Sequence, residues 1–350
     1  MPVSARVRTR FLSASPRTLA VLAAGTLLLA GCGQQTDDAS TIIRTTTNIA
    51  GAGVVGLERD TSRACPLPSR PDPGPGTRAV THTGGVAQVP ADPQRIVVLG
   101  TPALDAACAL GLWERVVGTT SPNGPQPDYL GYGVKRIASV GPDGAPDPAR
   151  IAELDPDVVI GTQGQGDYAA LAAVAPTVLA GSGSGWAAEF VGLAAGLARA
   201  DVAEAALAGY RADAPAIGAE PAVAAAQSQA SVVRFGADSI TVQGTDTFAG
   251  GVLTDIGVRR PQNQRGASFT VGADDLDQVE GDVIFVLFDG EAGREYGESV
   301  LRSDAWKELG AATDQRVFAV EDSVWHGSGL VAARALLTDV RQNLNGYVTG

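Results

Sequence analysis

Ile151-Ala-Glu-Leu-Asp-Pro-Asp-Val-Val-Ile160 holds a whole structural unit in ten residues. Ile151 to Leu154 predicts a short helix. Pro156 stops it, because proline cannot donate the next helical hydrogen bond. Val158-Val-Ile-Gly161 then reads as a strand without a polar face, the pattern of a parallel strand covered on both sides. The second half of the chain repeats the unit. Asp274 to Val279 predicts a short helix containing Leu276, Gly281-Asp282 turns the chain, and Val283-Ile-Phe-Val follows as a strand. Two copies of one local plan point to two lobes of the same architecture.

The alternation extends on either side. In the first half, Ala79 to Val89 predicts a hairpin around Gly84-Gly85. Strands are expected at Arg95–Gly100, Val116–Thr120 and Thr177–Ala180, with helices at Leu104–Leu112 and Tyr168–Ala175. In the second half, strands are expected at Ala230–Gly236, Ile240–Gln243, Asp282–Phe288 and Arg316–Val320. Helices are expected at Gly250–Ile256, Glu298–Leu309 and Leu330–Asn345. Strands alternating with helices specify doubly wound α/β lobes. Between them, Val202 to about Ala226 predicts a long helix, with Asp201 and Glu204 spaced as a capping box. Pro215 and Pro221 lie within that span. The expected organisation is an N-terminal lobe over 79–200, a bridging helix over 201–228 and a C-terminal lobe over 229–350.

Residues 1–31 have the composition of an export leader. Arg6, Arg8, Arg10 and Arg17 precede an apolar run from Leu19 to Ala30. That run is shorter than the about 20 residues a spanning helix needs. Leu29-Ala-Gly-Cys32 resembles the bacterial lipobox, in which the cysteine becomes the lipid-bearing first residue. The resemblance implies a protein anchored outside the cytoplasmic membrane through Cys32; an ordinary secretory signal is the alternative. Residues 32–78 read as a tether, polar at first and rich in Pro and Gly from Pro66 to Gly76, with enough Ile, Val and Thr over residues 42–57 for a strand that has no assigned place. Cys65 and Cys108 remain, and an exported compartment permits a disulfide between them. Two separate thiols are the other reading.

Composition excludes several functions. The formal net charge is −12, which repels nucleic acids and anionic lipid head groups. Two histidines and one methionine are too few for a zinc or thioether-copper site. Gly181-Ser-Gly-Ser-Gly puts glycine, not serine, where a nucleophile elbow needs its nucleophile. Gly164-Gln-Gly-Asp-Tyr-Ala imitates a dinucleotide fingerprint, but an exported chain has no cytosolic cofactor to bind. No enzymatic activity and no covalent cofactor are expected.

Five further segments occur in a telling order. They are Val89-Pro-Ala-Asp-Pro-Gln-Arg-Ile-Val-Val-Leu99, Ala109-Leu-Gly-Leu-Trp-Glu-Arg-Val-Val-Gly118, the Ile151–Ile160 unit, Leu253-Thr-Asp-Ile-Gly-Val258, and Trp306-Lys-Glu-Leu-Gly-Ala311 with Arg316-Val-Phe-Ala-Val320. Over residues 79–345 the chain resembles the substrate-binding lipoproteins of iron-siderophore ABC importers, of the actinobacterial ferric-siderophore type. The resemblance implies a class III periplasmic-binding-protein-like fold, a monomer that holds a ferric siderophore between two lobes. It also implies delivery to an ABC permease that meets one acidic residue on each lobe. Asp274 matches the second-lobe position. Ala149 stands at the first-lobe position, where the pattern has an acid.

Ligands of doubly wound lobes bind beyond the carboxyl ends of the strands. That rule nominates Thr101, Thr120 and Gln163 in the first lobe. In the second it nominates Arg234, Phe248, Phe288, Trp325 and His326. Arg234, then Arg294, would meet the anionic groups around iron through a rigid guanidinium fork. Trp186 and Trp325 would lie against the siderophore arms. His326 or a tyrosine offers an axial ligand for a second reading, a haem or cobalamin binder. A third reading, a non-transport envelope scaffold, follows from Ala149.

Overall fold

The computed structural model describes residues 47–122, 124–181 and 185–348. The leader, Cys32 and the first part of the expected tether lie outside those residues.

The first lobe is built on five parallel strands. Their order is Ser139–Pro142, Val116–Ser121, Ile96–Leu99, Val158–Thr162, Thr177–Ala180. The chain enters at Ile96, winds one way to Pro142, then returns to the other side of its first strand. Ile96–Leu99 and Val158–Ile160 are completely buried because helices cover both faces. Thr101–Ala109 and Trp186–Gly196 pack on one face, Pro148–Glu153 and Tyr168–Ala172 on the other. The hairpin Thr77–His82 and Gly85–Pro90 forms its own two-stranded sheet beside Thr177–Ala180.

The second lobe differs from the expected plan in having a mixed sheet. Its order is Asn48–Ile49, Ala52–Val54, Val317–Ala319, Val283–Phe288, Ala230–Phe235, Ile240–Val242, Phe269–Val271. The four strands from Ala52–Val54 to Ala230–Phe235 are parallel. Ile240–Val242 runs antiparallel to Ala230–Phe235, because the turn between them is too short for a crossover. Of the expected helix Glu298–Leu309, the structure makes two: Gly290–Leu301 and Asp304–Lys307. Ser303 separates them and caps the second, its hydroxyl accepting from the Trp306 N–H at 3.2 Å.

The bridging helix is Ala200–Ala219, shorter than the expected 201–228. Asp201 is not its cap but lies inside its first turn. The capping carboxylate belongs to Asp72, which accepts from the N–H groups of Ala200 at 2.8 Å and Asp201 at 3.1 Å. Pro215 sits within the helix, which continues because Tyr210, Ala214 and Gly218 are buried against its neighbours. It stops at Glu220, before Pro221.

Residues 47–78 are not a tether. Ala52–Val54 joins the second lobe's sheet beside Val317–Ala319. The Arg59 guanidinium then bonds Glu321 and Asp339 of that lobe. A few residues on, Cys65 is joined to Cys108 of the first lobe, with Cα atoms 4.6 Å apart. Asp72 ends the run at the bridging helix. The segment is a strap from one lobe to the other. The strand composition of residues 42–57 is the one part legible in sequence, and Ala52–Val54 is that strand; the polar, proline-rich remainder supplies side-chain contacts rather than an apolar face.

The helix Leu330–Asn343 forms a further seam. It packs against Thr101–Ala109 of the first lobe, Ala200–Ala219 of the bridge and Phe248–Ile256 of the second lobe. One buried cluster therefore runs from Leu104 through Leu207 and Leu336 to Phe285 and Trp325. Lobes that share a close-packed core and two covalent crossings have little freedom to hinge.

Candidate functional site

Between the strand ends of the two lobes lies a cleft of about 700 Å³, within the usual range for small-molecule sites. Thr101 and Pro102 line it from the first lobe, at the start of the helix that follows strand Ile96–Leu99. This is the point where strand order reverses, so adjacent loops diverge and leave a crevice. Pro122 and residues 125–128 close one side. Phe288 and Asp289 enter from the end of strand Val283–Phe288, and Glu321–Ser323 with His326 from the end of Val317–Ala319.

Phe288 is stacked on the buried Phe235, with ring centroids 5.8 Å apart, and its ring also lies against Gly297, so the ring is held at the strand end where the residue lines the cleft. His326 is exposed there. The side-chain amide of Gln243 lies 3.1 Å from its Nδ1, and Nε2 has no protein partner among the described residues. Partial desolvation and the charge of Arg234 hold its pKa below the usual histidine value, so the ring is neutral at pH 7.

Arg234 stands at the end of its strand, but its guanidinium is committed. It donates to both carboxylate oxygens of Asp322, at 2.7 and 3.1 Å, and to Asp289 at 3.1 Å. It organises the cleft wall and is not a free cation. Arg294 lies farther out on helix Gly290–Leu301, exposed and donating to Glu298 at 3.0 Å. It does not line the cleft.

Of the other nominated residues, Trp325 is fully buried, tilted against Phe285 with centroids 4.4 Å apart and its indole N–H donated to Asp339 at 2.9 Å. It is a core residue, and no ligand in the cleft reaches it. Thr120 is likewise buried, its hydroxyl accepting from the Gly100 N–H at 2.7 Å to fix the turn into the cleft. Gln163 is exposed beyond its strand and outside the cleft lining. Trp186 and Phe248 meet edge to face at 5.9 Å, and Trp186 packs on Tyr210 of the bridge at 5.1 Å. That cluster belongs to the lobe junction. One turn on, Glu189 accepts from the Ser328 hydroxyl at 3.1 Å, linking it to the cleft lining.

Sequence reading missed Pro122 with residues 125–128, and residues 321–323. The signal for the first was present: Ser121-Pro-Asn-Gly-Pro-Gln-Pro follows a strand end and cannot be regular structure.

Under the cleft, Asp105 of the first lobe is completely buried. Its carboxylate accepts from the N–H groups of Val331 and Ala332, both at 3.0 Å, and from the Tyr129 hydroxyl at 3.2 Å. It thus caps the seam helix across the lobe boundary. Gly329 is required beside it, since its φ is 127° and a Cβ would run into the carboxyl group. Burial pushes the Asp105 pKa up to about 7, against the pull of those donors. The folded protein keeps this proton to about pH 7, whereas the unfolded chain releases it near the ordinary 3.8. Its contribution to stability is therefore full below about pH 4 and lost as pH rises through 7. Urea unfolding at pH 5 and pH 8 should show wild type losing on the order of 2 kcal/mol relative to Asp105→Asn. Parallel behaviour of the two proteins would count against a buried titrating carboxyl.

The sequence profile of the periplasmic binding protein family matches residues 96–324. A probable siderophore-binding lipoprotein of Bacillus subtilis (strain 168), YfiY, is 30% identical over 283 residues, covering 75% of this chain and 86% of that protein. Among solved structures, Staphylococcus aureus SirA complexed with staphyloferrin B superposes with a TM-score of 0.64 at 23% identity, covering 78% of this chain and all of that one. The iron-uptake system-binding protein FeuA of Bacillus subtilis gives the same TM-score at 19% identity, over 77% of this chain and all of that one.

Proposed function

Because the chain belongs to the periplasmic binding protein family, we propose that it is the extracytoplasmic receptor of an iron importer. It takes a ferric siderophore into the inter-lobe cleft and presents it to an ABC permease. The observation that carries this reading is the cleft itself. It lies at the strand ends of both lobes and has the volume of a small-molecule site. The similarity to YfiY over most of both chains supports the same class of ligand. A pre-shaped cleft between lobes that hinge little gains affinity by losing little freedom on binding. The family and fold are those of binding proteins rather than enzymes.

The test is a tryptophan-fluorescence titration of the protein lacking residues 1–32. The ligands are ferric siderophores of the hydroxamate, catecholate and carboxylate classes, their iron-free forms, and haemin. Micromolar or tighter quenching by a ferric siderophore is expected. Binding of haemin alone, with a Soret shift lost in His326→Ala, would replace this reading by a haem receptor.

Two features of delivery are part of the proposal. Cys32 carries a lipid that holds the protein at the outer face of the cytoplasmic membrane. Cys32→Ala is expected to move the protein from the membrane fraction to the soluble one; unchanged fractionation would remove the anchor. Asp274 is exposed on the second lobe and meets the permease there, while Ala149, also exposed, offers no charge on the first. Asp274→Ala should reduce iron uptake several-fold with ligand affinity unchanged, as loss of one charged docking contact does. Equal uptake by both proteins would mean that docking does not use this residue.

A further inference from the structure

The charges around the cleft are unusually placed for a site expected to hold an iron chelate. Four carboxylates line it: Asp128, Asp289, Glu321 and Asp322. Every cation that reaches its wall is already spent on them. Lys135 pairs with Asp128. Arg234 is shared by Asp289 and Asp322, at 3.0 and 2.7 Å. Arg59 is shared by Glu321 and the buried Asp339, both at 2.7 Å. Five carboxylates thus meet three cations. The one lining imidazole, His326, is neutral at pH 7. Arg294, exposed on helix Gly290–Leu301, is outside the lining and paired with Glu298. Among the described residues no uncommitted positive group faces the cleft.

This arrangement selects ligands by charge. A ferric triscatecholate carries three negative charges, and ferric hydroxycarboxylates are anionic too. Either would bring negative charge against a wall that is already negative, with its guanidinium groups turned to protein carboxylates. A ferric trihydroxamate is neutral, since three hydroxamates balance the ferric ion, and a pendant ammonium makes it cationic. Its carbonyl and N–O oxygens need only neutral donors: the Thr101 hydroxyl and the second amide N–H of Gln126 line the cleft, while the first Gln126 N–H donates to the Thr120 carbonyl and the Ser323 and Ser328 hydroxyls donate to Glu321 and Glu189. Pro102, Pro125 and Phe288 add apolar lining that suits a methylene arm.

Building on the receptor reading above, we infer that the ligand is a neutral or cationic ferric hydroxamate, and that the Asp289–Arg234–Asp322 cluster rejects anionic ferric chelates. Repulsion between like charges in a partly desolvated cleft is an efficient means of excluding wrong ligands.

The test compares three probes by fluorescence quenching in low salt and in 0.5 M salt. They are ferrioxamine B as the cation, ferrichrome as the neutral complex and ferric staphyloferrin B as the anion. The cationic and neutral complexes are expected to bind at least tenfold more tightly than the anion. Salt should weaken the cation and leave the neutral complex unchanged. Asp289→Asn, at an exposed carboxylate, should narrow the gap between cation and anion by about threefold to tenfold. Asp289→Asn combined with Asp322→Asn, which frees Arg234, should narrow it further. A melting curve and a near-UV circular dichroism spectrum matching wild type would show that each variant keeps its fold. Tightest binding of the anion, or equal binding of all three, would overturn the charge inference and leave the receptor reading in place. Binding of none of these or of any other ferric chelate would overturn the receptor reading, and the inference with it.

Discussion

Arg59→Ala is expected to destabilise the protein by about 3–5 kcal/mol, the cost of leaving a buried charge without its partner. The Asp339 side chain is only 2% exposed. One guanidinium nitrogen of Arg59 serves both of its oxygens, at 2.7 and 2.8 Å, and another bonds Glu321 at 2.7 Å. Without Arg59, the Asp339 carboxylate keeps the indole N–H of Trp325 and little else. Burial already raises its pKa, so it would answer by taking up a proton. Asp339→Asn placed on Arg59→Ala should recover much of the loss, because the neutral amide needs no counter-charge. Urea-unfolding midpoints of the two single variants and the double variant give the coupling energy directly. A loss below about 1 kcal/mol, the range of an exposed pair, would show that the pair is solvated after all.

Removing the Cys65–Cys108 bond is the second large effect. The cysteines are 43 residues apart in sequence, and closing a loop of that length constrains the unfolded chain by about 4 kcal/mol in the chain-entropy model. Cys108 is completely buried in helix Thr101–Ala109, whose first residue lines the cleft. Cys65→Ser and Cys108→Ser, or reduction under mild denaturant, should each lower the unfolding midpoint. They should also lower it together by no more than either alone, since one bond is lost in every case. Losses that add would assign the effect to packing at each site rather than to the cross-link.

Both predictions fall on the segment that pattern reading took for a tether. A helix or a buried strand announces itself by spacing of apolar residues over a few positions. The strap has no such spacing. Arg59 finds Asp339 across 280 residues, and Asp72 caps a helix 128 residues away. Such contacts leave no trace in local composition, and Pro-Gly-rich sequence between them reads as coil. The bridging helix shows the same effect at one residue. Asp201 and Glu204 have capping-box spacing, yet the orphan N–H groups are satisfied by Asp72, and Asp201 is left inside the first turn.

Within the cleft the division is equally physical. The rule that ligands meet strand ends located Thr101, Phe288 and His326 from sequence, because strand ends follow from apolar runs that stop at Gly, Asp or Trp. It could not separate Trp325 from His326, adjacent residues of which one is fully buried and the other exposed. Nor could it foresee that the arginine at one strand end is neutralised by two carboxylates 55 and 88 residues away.

By itself the sequence determined the two α/β lobes, the long helix between them and the family, since each rests on local periodicity or on short motifs in order. Only the tertiary structure decided that the lobes are strapped together and that the cleft between them is negative. Rigidity and the sign of an electrostatic field are sums over groups distant in sequence, and folding alone brings those groups within reach of one another.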